Sequence, residues 1–213
     1  MPVITIARQF AAGGEPVGQM LARRLKADFV DRQIVAEVAR RLQLPHEEVE
    51  AQDENPGSFL NRLLTALGSA SGDFSVPPEV AAWTPPYADP AFDPRRAVLN
   101  ITQEVIREAA RSGNVVIVGR GAAYILHDHP ETLNVFLRAA EQQRVKTAME
   151  LFHLTEEDAR KRLKQTDANR AAYIRQVYGH DWEHPAHYDL VLDTGRLGYE
   201  AAAAAILAAI KGR

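Results

Sequence analysis

The 213-residue chain has no cysteine, which excludes disulfides, zinc–thiolate centres and a thiol nucleophile. It has no apolar run of roughly 18 residues, the length a transmembrane helix needs. Its first residues, Met1-Pro2-Val3-Ile4-Thr5-Ile6, lack the basic flank and small-residue cleavage site of a secretory signal. These absences fit a cytoplasmic protein with no membrane partner. An excess of positive charge is missing too. The formal net charge is -3, so there is no basic field to hold duplex nucleic acid. Lysine is scarce: of the 25 basic residues only Lys26, Lys146, Lys161, Lys164 and Lys211 are lysine, and the rest are arginine. Arginine carries the planar fork that grips phosphate or carboxylate in bidentate fashion. The 46% apolar and 25% charged content is ordinary for a globular protein, and the length suits one domain over residues 1–213, with inserts.

What is present reads as alternating strands and helices. Val3-Ile4-Thr5-Ile6-Ala7, Phe29-Val30, Val115-Val116-Ile117-Val118, Leu133-Asn134-Val135-Phe136-Leu137 and Asp189-Leu190-Val191-Leu192-Asp193 are short, largely apolar runs typical of strands, the first and third of them β-branched. Pro16 suits the first turn of a helix continued by Val17, Met20, Leu21 and Leu25. Asp31 can cap a helix through Ile34, Val35, Val38 and Leu42, and Pro45 opens another. Asp93-Pro94 starts a long helix that ends near Gly113. Further helices run from about Glu141 to Phe152 and from Thr155, where Thr155 with Asp158 resembles a capping box. An alanine-rich helix closes the chain. The pattern predicts an α/β fold, a parallel five-stranded sheet flanked by helices on both faces, with the 3–7 strand central. Residues 71–94 form a proline-rich excursion that carries Trp83, Tyr87 and Phe92.

In such sheets ligands bind beyond the carboxyl ends of the strands. Those ends carry Arg8 with the Gly13-Gly14 loop, Asp31-Arg32, Gly119-Arg120, Arg138 and Asp193. A strand, a glycine-containing loop and a helix N-terminus together can cradle phosphate with backbone N–H groups. The strict pattern G-x-x-x-x-G-K-[ST] is not met. From position 8 the chain reads Arg8-Gln9-Phe10-Ala11-Ala12-Gly13-Gly14-Glu15, with Gly14 in the lysine slot and Glu15 in the hydroxyl slot. Read alone, this is equally a βα turn that needs glycines for its backbone angles.

Taken in order along the chain, five segments resemble the cytidylate kinase-like family, relatives of the P-loop nucleoside monophosphate kinases with an altered phosphate loop. They are Ala7-Arg8-Gln9-Phe10-Ala11-Ala12-Gly13-Gly14-Glu15; Val30-Asp31-Arg32; Val116-Ile117-Val118-Gly119-Arg120-Gly121-Ala122; Asn134-Val135-Phe136-Leu137-Arg138-Ala139 with Arg144; and Thr166-Asp167-Ala168-Asn169-Arg170-Ala171-Ala172-Tyr173, continuing to Tyr178-Gly179-His180-Asp181-Trp182 and Tyr188-Asp189-Leu190-Val191-Leu192-Asp193-Thr194. The resemblance implies an ATP-dependent phosphotransferase that moves the γ-phosphoryl group of MgATP to a nucleoside monophosphate, CMP or dCMP favoured, or to a related small acceptor. It implies ATP and Mg²⁺ as cofactors and no protein metal site. It assigns Gly13, Gly14 and Glu15 to the ATP phosphates. It makes Arg8, Asp31, Arg144, Arg170 and Arg175 catalytic, and gives Arg32, Arg120, Arg138 and Asp167 to substrate. It further implies an acceptor-binding insert over 44–98 and a lid over 153–182, and it leaves room for a homo-oligomer.

Two departures keep an alternative open. Relatives commonly carry Arg where this chain has Glu15, and Ala11-Ala12 replaces a Gly-Ser pair, which restricts the backbone. The alternative is a weak or inactive nucleotide-binding or interaction protein on the same fold. Other candidates are poorer. His180, His184 and His187 have metal-like spacing, but Pro185 interrupts the helix that spacing needs. No G-x-S-x-G elbow supports a hydrolase.

Overall fold

The computed structural model describes residues 2–31, Ile34, Glu37, Arg41 and 94–212. Most of the 44–98 insert, the 71–93 part of the proline-rich excursion, and Arg32 lie outside the described residues. Five strands form one parallel sheet: β1 (Val3–Arg8), β2 (Asp28–Val30), β3 (Val115–Val118), β4 (Thr132–Arg138) and β5 (Leu190–Asp193), in the order β2-β3-β1-β4-β5. The 3–7 segment is therefore central, as its unbroken apolar character predicts. The helices are α1 (Gly14–Leu25), α2 (Pro94–Ser112), α3 (Ala122–Ile125), α4 (Glu141–Phe152), α5 (Glu156–Tyr178), α6 (Thr194–Leu197) and α7 (Tyr199–Lys211).

Strand alternation decides which helices cover which face. Ile4, Ile6, Val116, Val118, Val135 and Leu137 point to one side and pack with Val17 and Leu21 of α1 and Ala202, Ala203 and Ile206 of α7. Val3, Val115 and Ile117 point to the other side, against Val98, Val105 and Ile106 of α2. Ile6, Ile117 and Leu137 are 1%, 0% and 0% exposed, so truncation of any one to Ala costs about 2–5 kcal/mol. A buried polar contact registers the centre of the sheet, where the Thr5 hydroxyl donates to Asn134 Oδ1 at 2.6 Å.

Thr155 caps α5, where the Asp158 N–H donates to Thr155 Oγ1 and that hydroxyl donates to Asp158 Oδ2 at 2.7 Å. From there α5 runs unbroken for 23 residues through the 153–182 region to Gly179, whose φ of 74° ends it. It packs on α4 around Val145, Ala148, Ala159 and Leu163, and the ring of Phe10 is buried in that contact. Thus the segment read as a lid reaches the loop that follows β1. Among the described residues no helix is long and apolar enough to cross a membrane.

Candidate phosphate-binding and acceptor site

The loop after β1 and the turn after β3 meet at the carboxyl edge of the sheet. In the loop, Ala11 holds a φ of 57° and Gly13 a φ of 81°. The left-handed region costs a residue with a Cβ on the order of 1–2 kcal/mol, so Ala11 needs support from its surroundings. Gly13 has no such freedom to change, because a Cβ there would lie 2.2 Å from the Tyr199 ring. Among the described residues, the amides of Gly13, Gly14 and Glu15 find no acceptor. They open the N-terminus of α1, where backbone N–H groups and the helix dipole favour an anion. The Glu15 carboxylate is exposed and accepts from Gln19 Nε2, one turn along the helix.

Arg8 crosses this edge. Its aliphatic stem lies over Gly14, and its guanidinium lies over Gly119, where a Cβ would come within 2.1 Å of Nη1. Its Nη2 stands 3.9 Å from Asp31 Oδ1. Gly119, Arg120 and Gly121 all take positive φ, at 80°, 55° and 72°. Three left-handed residues in succession turn the chain sharply and leave Arg120 at the rim of a cleft. Arg8, Arg120, Arg170, Thr5, Tyr124, Tyr173 and Trp182 are among the residues lining that cleft.

Arg170 comes from α5 and is largely buried. Its Nη1 donates to the Arg8 C=O at 3.0 Å and lies 3.8 Å from Asp167 Oδ1. Burial, with the cations of Arg8 and Arg120 adding to it, pushes Arg170 down to about 9, while Asp167 and Asp31 act against the shift. It stays protonated at neutral pH. Three guanidinium groups at one concave edge, with Asp31 near Arg8 and Asp167 near Arg170, have the chemistry to receive a multiply charged anion. The tyrosines around the cleft offer no base. Burial raises Tyr124, Tyr173, Tyr178 and Tyr188 above the ordinary phenol range.

The remaining sequence candidates sit elsewhere. Arg144 does not line the cleft; it lies behind the loop, donating to Asp167 Oδ2, to the Phe10 C=O at 3.3 Å and to the Ala139 C=O at 3.1 Å. Asp167 faces the loop backbone and accepts the Phe10 N–H at 2.8 Å. Arg138 is 58% exposed and reaches Asp193 only at 3.9 Å. Arg175 is exposed. His180 and His187 lie 4.5 Å apart, centroid to centroid, but among the described residues no group of three His, Cys, Asp or Glu is arranged to hold a metal.

Several contributors went unread in the sequence. Gln9 pins the loop, since its Nε2 donates to Glu183 and its Oε1 accepts the Ala139 N–H. The Thr194 hydroxyl lies within hydrogen-bond distance of the Ala12 and Arg138 carbonyls. Tyr199 covers Gly13. Gln9, Tyr173 and Thr194 stand inside the family-like motifs and were legible there; nothing in the sequence marks Tyr199. A second, open cleft lies on the far side of the loop, with Ala11, Gln143, Lys146, Thr194, Gly195 and Tyr199 among its lining.

Known proteins resemble this chain in sequence or in fold. A cytidylate kinase of Methanopyrus kandleri is 31% identical over 112 residues, which make up 49% of this chain and 58% of that relative, so the match spans little more than half of its length. A solved structure of an uncharacterized protein from Eubacterium ventriosum superposes with a TM-score of 0.70 at 20% identity, covering 100% of both chains. Shikimate kinase from Bacteroides thetaiotaomicron superposes with a TM-score of 0.55 at 14% identity over 99% of this chain and 98% of its own, a likeness of fold. The profile of the cytidylate kinase-like family matches residues 3–196, nearly the whole sequence, and the chain belongs to that family.

Proposed function

We propose that this protein is a phosphotransferase that moves the γ-phosphoryl group of MgATP to a small acceptor bearing a phosphate, with a nucleoside monophosphate, CMP or dCMP, favoured. The observation that carries the reading is the meeting of Arg8, Arg120 and Arg170 at one cleft, beside the open amides of Gly13, Gly14 and Glu15. Phosphoryl transfer needs little covalent chemistry from the protein. It needs alignment, and cations around the moving group. The open amides would hold the triphosphate of ATP. Arg8, reaching across Gly14 from the start of the loop, would supply the charge that a lysine at position 14 supplies in the strict motif. The open cleft beside Ala11 and Tyr199 would take the donor's base, and the arginine-lined cleft would take the acceptor.

An acceptor phosphate fits the chemistry of the cleft better than an acceptor hydroxyl. A phosphate monoester loses its second proton near pH 6, so at neutral pH it attacks without a base. A hydroxyl acceptor would need one; the tyrosines here are held protonated, so that part would fall to Asp31, the carboxylate that sits beside Arg8 and would also face the metal. Mg²⁺ would enter with the ATP phosphates, as it commonly does with one or two carboxylates and several waters. Asp31 is the carboxylate next to Arg8 that would face it.

The test is MgATP titration of the purified protein, followed by an ATP-consumption screen over nucleoside monophosphates and other small acceptors. The reading expects saturable MgATP binding and turnover with a monophosphate. Glu15→Arg should lower the KM for ATP, because it removes a like charge beside the triphosphate. Binding without consumption of any acceptor supports the binding-only alternative, which the absent lysine and hydroxyl at positions 14 and 15 favour. No MgATP binding by wild type or variant sinks the kinase reading.

A further inference from the structure

The loop after β1 keeps a left-handed shape at a residue that is not glycine, and the groups that impose this shape lie outside the loop. The peptide that precedes Ala11 is the one whose orientation sets the 57° φ. Its carbonyl, on Phe10, accepts from Arg144 of α4. The N–H of the same Phe10 donates to Asp167 of α5. Arg144 and Asp167 also hold each other, with side chains only 11% and 18% exposed. Both polar backbone groups of one loop residue are thus held by an ion pair between two helices. The Phe10 ring adds an anchor, 5.4 Å from Phe152 and nearly parallel to it.

We propose that Asp167 is a positioning residue which, through Arg144, locks the Phe10–Ala11 peptide and so keeps the amides of Gly13, Gly14 and Glu15 open to a phosphate chain. This rests on the phosphotransferase reading for its ligand, though not for its geometry. Asp167 touches no substrate in this role. It substitutes for the glycine that would otherwise make the loop's shape free of strain. The helix pair α4 and α5 then does more than cover the site, because any movement of one against the other changes the phosphate cradle.

The test uses the intact chain and four forms: wild type, Asp167→Asn, Asp167→Ala, and Asp167→Ala combined with Ala11→Gly. Two quantities are read, MgATP affinity and amide hydrogen exchange without nucleotide. The probe amide is Ala12, whose acceptor is the Gln9 C=O and which neither Asp167 substitution touches directly; in the double variant only the affinity is read. Asp167→Ala should weaken MgATP at least tenfold and speed Ala12 exchange at least tenfold, while the amides of β3 keep their protection. Asp167→Asn keeps an oxygen for the Phe10 N–H and should fall between. Ala11→Gly should restore most of the affinity lost in Asp167→Ala, because glycine takes the left-handed shape unaided. A purely structural role predicts no such rescue. Should Asp167→Ala expose β3 as well, Asp167→Asn gives the same readout in a folded background. If wild type binds no MgATP, the phosphotransferase reading fails, and Ala12 exchange still decides the clamp. Wild-type exchange at Ala12 in both single variants, or no rescue by Ala11→Gly, overturns it.

Discussion

Two turns leave the carboxyl edge of this sheet side by side, and they are held in opposite ways. The loop after β1 is held by ions and amides. Arg144, Asp167, Arg170 and Gln9 take up the backbone groups of residues 8 to 10 or bind the strand beside them. The turn after β3 is held by packing. Gly119 lies under the Arg8 guanidinium and Gly121 under the Tyr178 ring. Behind it Tyr124 is stacked between Tyr178 and His180, at 5.4 and 5.5 Å. In the first turn an alanine tolerates left-handed geometry because side chains hold the peptide beside it. In the second, glycine is required twice because the space for a Cβ is already filled, and the one residue between them that has a Cβ is Arg120. A strained residue that carries a charge into a cleft is where strain and function coincide.

The largest effect should come from Gly119→Ala. The new Cβ would displace the Arg8 guanidinium and would sit on a backbone with a φ of 80°. The backbone alone should cost about 1–2 kcal/mol of stability. Misplacing Arg8 by an ångström should lower turnover by about 100-fold. Urea denaturation and single-turnover assays separate these two losses. If turnover falls no more than stability explains, Arg8 is not the loop cation and the two turns are not coupled through it.

Arg120→Ala should come next, and it divides the two turns functionally. Loss of a charge-assisted contact is worth about 1.5–3 kcal/mol, which is roughly 10- to 150-fold. That loss should fall on the acceptor's KM and leave MgATP affinity within about threefold of wild type. Equal weakening of both ligands would mean that the turns form one undivided anion site.

Much of this edge was legible before any fold was known. Uninterrupted β-branched runs marked two of the five strands, β1 and β3, strongly, and each strand end named its own candidates, Arg8, Asp31 and Arg120 among them. The arginines on the helices were harder to sort. Arg144 and Arg170 look alike in sequence, yet one lies behind the loop and the other in the cleft. The difference is the helix each stands on and how that helix is rotated against the loop, which only tertiary packing sets. Arg175 was partly readable, since five residues past Arg170 is about 140° further round a helix, away from the face that Asp167 and Arg170 share. The role of Asp167 was hidden because it acts on the backbone of a segment 157 residues away. No motif spacing carries that information.

The smallest expected effect separates the two kinds of support by acid. His187 belongs to the packed side, 4.5 Å from His180, 5.6 Å from His184 and 5.4 Å from Tyr124. Burial holds its imidazole below the ordinary histidine value. Charge on His180, His184 and His127 adds to this, and Asp181 opposes it. A histidine whose pKa is lower folded than unfolded binds its proton later in the native state. Its contribution is fully present above the unfolded value near 6.5 and is lost as pH falls through the lower folded value. Thermal melts between pH 7.5 and 5 should therefore show a midpoint that declines on acidification. His187→Gln should flatten that decline, because glutamine keeps bulk and polarity and has no proton to take up. The packed turn should loosen first, so the Tyr124 amide should gain exchange at pH 5.5 before Ala12 does. An equal decline in His187→Gln would remove this histidine as the cause, and simultaneous loosening of both amides would show that the two turns, held by different means, still open as one unit.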